Sequence, residues 1–359
     1  MRIPHNESSY IATADHPQSQ RMISRPRIRD VASRAGVSTA TVSRALSNPA
    51  LVKPDTQIRI REAIAALGYV LDGSARALAS GRAHTIGAIV PTLDNAIFAR
   101  AVQGLQTTLS NSGYQLLIAA HEYNPDTEQA LVRALLERSI DALLLVGTDH
   151  SPQTWDLIRG SRVPLLVTWS KTDLQPSIGF DNHQIGRLAA QHLLALGHRH
   201  LGVISGHCLH NDRARSRVEG FREALEQRGR QLPESHVIQQ PFGFEGGRAG
   251  LRALLELRPR PTGIFCGNDV LAMGCLFEAQ ALGIDVPGEL SIVGCDNLPI
   301  SSQLTPSLTT IHLPTHELGQ HAAGLLLQWL ASGQMPPNEC LPIELVARGT
   351  SGPPRKAAR

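Results

Sequence analysis

Apolar and polar positions along the chain fall into three successive regimes. Residues 1–24 show no periodicity and are rich in Ser, His, Asn and Gln, which predicts a disordered extension. Between residues 28 and 68 the pattern is helical. A short helix over 30–35 ends at Gly36, and Ser38 caps a second over 39–46. Pro54-Asp55-Thr56 opens a third, with an apolar stripe at Ile58, Ile60, Ile64 and Leu67 and a stop at Gly68. From Thr85 onward apolar runs alternate with amphipathic segments. Strands are expected over 85–91, 114–120, 141–146 and 164–168, and helices over 98–110, 126–138 and 153–159. The rhythm restarts with helix 183–196, strand 200–205, helix 216–228, strand 263–266, helix 270–282 and strand 291–293. Continuously apolar strands alternating with helices predict parallel sheets covered on both faces, and there are enough units for two in succession.

Composition sharpens this picture at one point. The 359 residues carry a formal net charge of only +3. Up to Arg82, however, 12 basic side chains face 6 acidic ones, whereas the remainder holds 22 against 25. A basic head on a slightly acidic body suggests a nucleic-acid module joined to something else. No apolar run reaches the roughly 18–20 residues a bilayer requires. The N-terminus lacks the apolar core of a secretory signal, and Met22 offers a second candidate start. Five scattered cysteines without a C-x-x-C pair read as reduced core thiols of a cytoplasmic protein.

The most specific local signal runs from residue 28 to 46. Ala32 and Ala35 allow two helices to cross closely, Gly36 permits the turn, and Val37, Val42 and Leu46 point inward. Ser38, Thr39, Ala40, Thr41, Ser43 and Arg44 form the outward face. Short hydroxyls at a helix N-terminus bond phosphates or base edges, and Arg44 can reach guanine. These residues resemble the DNA-binding signature of the lactose/galactose-repressor (LacI/GalR) family, and the likeness extends from about residue 27 to 348. The resemblance implies a hinge helix around Ala75-Arg76-Ala77-Leu78, paired on DNA with Leu78 wedged into the minor groove and Arg76 on another face. Leu71 stands where the family usually has proline, and Asp72-Gly73 lowers helix propensity, so this hinge should need DNA to fold.

Further segments carry the same likeness, among them Gly179-Phe180-Asp181-Asn182, Arg217-Val-Glu-Gly-Phe221, Asn268-Asp269, Gly294-Cys-Asp296 and Pro306-Ser-Leu-Thr-Thr-Ile311. They imply an α/β two-lobed body of the periplasmic-binding-protein type. The expected organisation is a helix-turn-helix headpiece over 25–70, a hinge or linker over 71–82, a ligand-binding and dimerising body over 83–350 and a flexible tail over 351–359. Lobe 1 is expected over 85–180 with 310–330, and lobe 2 over 181–309 with 331–348. Ligands of open α/β sheets lie at strand carboxyl ends. There Arg217 can fork to a carboxylate or vicinal diol, while Asn268 and Asp296 can serve hydroxyls. Phe98, Trp169 and Phe242 are candidate apolar walls. Asp181 reads equally well as a helix cap. The Tyr123-Asn-Pro-Asp…Glu128 and Gly179-Phe-Asp-Asn182 stretches look most like the gluconate-repressor branch, for which a sugar acid would suit Arg217.

Histidine pairs such as His198/His200 and His207/His210 lack a second cluster at zinc-ligand spacing. No nucleophile elbow, Walker sequence or dinucleotide loop occurs, so neither a cofactor nor catalysis is implied. The expectation is a repressor of carbohydrate-use genes. It would bind a pseudo-palindromic operator as a homodimer, because one headpiece reads only a few base pairs. Inducer and corepressor both remain open. The alternatives are a solute-binding protein, a sugar-metabolising enzyme with the same body, or an activator of the same family.

Overall fold

Local chemistry sets each helix of the head in the computed structural model, which describes residues 26–70 and 82–355. Helix α1 (Ile28–Ala35) starts where the Asp30 carboxylate accepts the Arg27 N–H at 2.7 Å. It ends at Gly36, whose φ of 65° lies in the left-handed region that side chains disfavour. Helix α2 (Thr39–Ser47) starts at Ser38, whose Oγ accepts the Thr41 N–H at 3.1 Å. Helix α3 (Pro54–Leu67) opens with a proline whose missing N–H costs nothing there. Val31, Ala32, Ala35, Val42, Ile60 and Ala63 bury one another. Ile58, expected in the apolar stripe, is 48% exposed. Ile60, Ala63, Ile64 and Leu67 already fill the i, i+3, i+4, i+7 face, and Ile58 lies about 200° around the helix from Ile60.

The chain divides into two units, Met1–Gly81 and Arg82–Arg359, and the second holds two six-stranded sheets. The first lobe takes β1 (Thr85–Val90), α4 (Ala96–Asn111), β2 (Gln115–Ala120), α5 (Pro125–Glu137), β3 (Ala142–Val146), α6 (Pro152–Ser161), β4 (Leu165–Ser170) and β5 (Ser177–Phe180). The second takes α7 (Asn182–Ala195), β6 (Leu201–Ser205), α8 (Asp212–Glu226), β7 (Val237–Gln239), α9 (Phe244–Glu256), β8 (Gly263–Cys266), α10 (Asp269–Ala281), β9 (Ser291–Asp296) and β10 (Thr309–His312). The chain then returns to the first lobe for α11 (Thr315–Ser332) and β11 (Glu339–Cys340), and ends its sheets with β12 (Glu344–Val346) in the second. Strand orders are β11-β5-β4-β3-β1-β2 and β12-β10-β9-β8-β6-β7. Every pairing is parallel except the antiparallel β10–β12 edge. Strands β3, β4, β6, β8 and β9 are buried at every residue, which is why they are mainly apolar, with polar residues of β4, β6 and β9 confined to strand ends or, as Thr168, close to one.

Several expectations need correction. Residues 331–348 do not all belong to the second lobe, because β11 pairs with β5 in the first sheet. Thr309–His312 lies in the second sheet beside β9, so the return to the first lobe begins only with α11. These short, polar strands have no apolar run to announce them. The tail is anchored as far as it is described. Ser351 Oγ lies 2.8 Å from both Thr309 Oγ1 and His192 Nε2, and Gly352 O lies 3.0 Å from His198 Nε2. Of the cysteines, Cys266, Cys275 and Cys295 are buried as expected, whereas Cys208 is half-buried and Cys340 exposed. The N-terminal extension and residues 71–81 of the hinge segment lie outside the described residues.

Candidate DNA-reading face and ligand cleft

On the head, α2 carries the outward face. Ser38, Thr39, Ala40, Ser43 and Arg44 are exposed, and Thr41 is half-buried. The Ser38 and Thr41 hydroxyls sit 2.8 Å apart, so part of their capacity is spent within the cap. Arg44 makes no ion pair among the described residues, which leaves its five donors available to an incoming group. Arg76 and Leu78 lie outside the described residues.

In the body, the carboxyl ends of β4, β6, β8 and β9 converge on one pocket between the lobes. All six candidate side chains, Phe98, Trp169, Arg217, Phe242, Asn268 and Asp296, line it. Phe98 and Trp169 form one aromatic wall with ring centroids 5.1 Å apart, and Tyr123 with Phe242 forms another at 5.7 Å. Arg217 is held rigidly: Nε donates to Asn182 Oδ1 at 3.0 Å and Nη1 to the Gly267 carbonyl at 2.6 Å. Its helix packs against α7 so closely that a Cβ on Gly186 would sit 1.9 Å from Arg217 O. Asn182 in turn donates to the Trp169 carbonyl at 2.8 Å, linking the two lobes behind the cleft. Asp181 caps α7 through the Gln184 N–H at 2.9 Å.

What the cleft leaves unsatisfied defines its chemistry. Trp169 Nε1, Asn268 Nδ2 and both oxygens of Asp296 are buried without a hydrogen-bond partner. Asn268 spends its own oxygen on the N-terminus of α10, accepting from Leu271 at 2.9 Å. Burial, followed by the nearby charge of Asp269, pushes the Asp296 carboxyl well above the usual carboxylate range, with Arg217 opposing. Buried polar groups are ordinarily paired. An arrangement of two free donors, one guanidinium and one free carboxyl around apolar walls suits a compact ligand bearing several hydroxyls.

Sequence reasoning missed Asn211 and Arg213, which also line the cavity. It began α8 at Ser216 rather than at Asp212, where Asn211 caps it through the Ala214 N–H at 3.2 Å. With the earlier start, Arg213 and Arg217 stand four residues apart on one helix face, which is the signal that could have found the former. Among the described residues no group of three or more His, Cys, Asp or Glu side chains could hold a metal ion, and no helix is long and apolar enough to cross a membrane.

A helix-turn-helix head and a two-lobed body with a polar interior cleft define a DNA-binding regulator that carries its own ligand-binding domain. Residues 27–72 match the model of "Bacterial regulatory proteins, lacI family", and residues 190–351 that of a periplasmic binding protein-like domain. The HTH-type transcriptional repressor PurR of Proteus mirabilis is 33% identical over 84% of this chain and 89% of that protein. The lac repressor dimer bound to operator and an anti-inducer superposes with a TM-score of 0.81 at 26% identity, covering 91% of this chain and 99% of that one. A transcriptional regulator CelR–cellobiose complex matches at 26% identity and TM-score 0.68, covering 91% and 100%. The chain belongs to the lacI family of bacterial transcriptional regulators.

Proposed function

We propose that this regulator represses carbohydrate-use genes from the cytoplasm, binding a pseudo-palindromic operator as a homodimer and responding to a sugar or sugar acid, with gluconate the first candidate. The observation that carries the reading is the convergence of Arg217, Asn268 and Asp296 with Trp169 and two aromatic walls on one interlobe cavity. Asp296 accepts ligand hydroxyls, Asn268 and the Trp169 indole donate to ligand oxygens, and Arg217 meets a carboxylate or diol. Ligand and lobe arrangement are linked, so a ligand that prefers one arrangement changes operator affinity by the same coupling free energy. The operator-bound lac repressor dimer supports the symmetric mode of DNA binding, and the cellobiose complex supports a carbohydrate in the cleft. Ser38, Thr39, Ala40, Thr41, Ser43 and Arg44 read the half-site, with Arg76 and Leu78 as hinge contacts. The body senses its ligand without converting it.

A thermal-shift screen of neutral sugars, aldonic acids and nucleobases against the purified chain tests this reading. Bound ligand raises the melting temperature by mass action. A response confined to hydroxyl-poor ligands would sink the carbohydrate assignment.

A further inference from the structure

A buried ionisable cluster lies in the first lobe beyond the residues assigned above. Glu128 on α5 is 4% exposed, and its two oxygens lie 2.9 and 3.0 Å from His150 Nδ1. The other ring nitrogen of His150 lies 3.0 Å from the Gly147 carbonyl, and Trp155 packs edge-on against the ring at 5.2 Å. His121 approaches the same carboxylate at 3.7 Å. Glu128 therefore holds the far end of the loop of residues 147–150 through His150, whose second ring nitrogen faces the near end at Gly147.

That loop faces the first turn of α8 across the cleft. Thr148 Oγ1 donates to Asp212 Oδ2 at 3.0 Å, and Ser170 Oγ, at the end of β4, donates to the same oxygen. Asp149 accepts both terminal nitrogens of Arg215, at 2.8 and 3.0 Å. Arg213 Nη1 donates to the Val146 carbonyl at 3.2 Å and to Asp212 at 2.9 Å. Gly147 leaves room for this contact, since a Cβ there would sit 1.8 Å from Arg213 Nη1. Burial works against the Asp212 carboxylate, but Arg213 and the two hydroxyls outweigh it and hold its pKa below the ordinary value. Five residues further along the same helix stands Arg217.

We propose that Glu128, acting through His150, is a positioning residue that sets loop 147–150 as the receptor of an interlobe latch whose other half is Asp212, Arg213 and Arg215. The latch and the ligand arm share one rigid helix, so fixing the loop fixes where Arg217 meets a ligand. This consequence rests on the cleft being the effector site, whereas the latch itself does not.

Amide hydrogen exchange on the full chain, with no ligand added, tests it. In Glu128→Gln, exchange should accelerate by about tenfold at residues 147–150 and equally across the cleft at 211–217, while β1 and β3 keep their protection. Asp212→Asn should loosen the same two segments, and the double variant should exceed neither single one, because both break one latch. Thr148→Val combined with Ser170→Ala removes the donors while leaving Glu128 intact. It should reproduce the loosening even where the buried Glu128 variant fails to fold. Loosening confined to 147–150, additive effects in the double variant, or an unmoved 211–217 in the hydroxyl variant would each overturn the proposal. A separate thermal shift with gluconate reads the effector assignment alone, and its failure would leave the latch result standing.

Discussion

Replacing Asp296 with Asn keeps the shape of the side chain and takes away a carboxyl that the fold buries without a side-chain donor. The carboxyl is 4% exposed and its pKa is raised by burial and then by Asp269. A carboxyl held above its unfolded value of 3.8 detracts from stability progressively as pH rises from that value toward its folded pKa, so the wild type at neutral pH carries a penalty that it does not carry in acid. An unsatisfied buried group costs about 1–3 kcal/mol, and the amide retains part of that. The variant should therefore gain about 1–2 kcal/mol without ligand, or about 2–8 °C in melting temperature for a body of this size. The gain should shrink as pH is lowered and Asp296 in the wild type takes up its proton. Ligand binding should move the other way. Losing the buried partner of a ligand hydroxyl costs about 1–3 kcal/mol, so the dissociation constant for the best ligand of the screen should rise by roughly 5- to 150-fold. Scanning calorimetry from pH 5 to 8 and titration calorimetry at pH 7.5 measure the two effects. A variant that melts below the wild type, or binds the ligand equally well, would refute the reasoning.

Three other outcomes are expected. Arg44→Ala should weaken operator binding by about 1–3 kcal/mol in a gel-shift titration while barely changing competitor-DNA binding, and equal losses would reduce Arg44 to a phosphate contact. Arg217→Ala should abolish the effector response in a reporter assay with operator affinity nearly intact. It should also cost about 1–3 kcal/mol of body stability, since Asn182 Oδ1 and the Gly267 carbonyl lose their donor. Burial lowers the pKa of His121, His192 and His198 below 6.5. The neutral rings thus contribute stability that is complete above pH 6.5 and lost as pH falls toward their folded values. His198→Gln, which keeps a donor for Gly352, should flatten the acid limb of the melting curve, and an unchanged limb would remove His198 from this role.

The sequence disclosed most readily whatever depends on periodicity or on a cap. The turn at Gly36 and the cap at Ser38 are set by chemistry within a few residues, and the buried strands are mainly apolar because both their faces are covered. Arg217, Asn268 and Asp296 were legible because they fall in segments that resemble the family's, and Asn268 and Asp296 stand at strand carboxyl ends, where α/β sheets bind ligands. The latch was not legible. Thr148, Asp149, Ser170 and Asp212 are ordinary polar residues whose partners lie 42 to 66 positions away, and only the fold brings them together. The paired β11 and β12 escaped for a related reason: at two and three residues they are defined by their neighbours' hydrogen bonds and not by any pattern of their own.

The triple passage of the chain between the lobes has a consequence for biosynthesis. Neither lobe is a continuous stretch of sequence: the first sheet waits for β11 and the second for β12 to fill its edge. The head, by contrast, has all its core residues by Tyr69. As the polypeptide emerges from the ribosome, the DNA-reading helices can fold early, while the first lobe stays incomplete until residue 340 has been made and the second until residue 346. A nascent chain cut short between His312 and Glu339 would therefore present a finished head on an unfinished body, with the edge strand of each lobe missing and its neighbour open to aggregation.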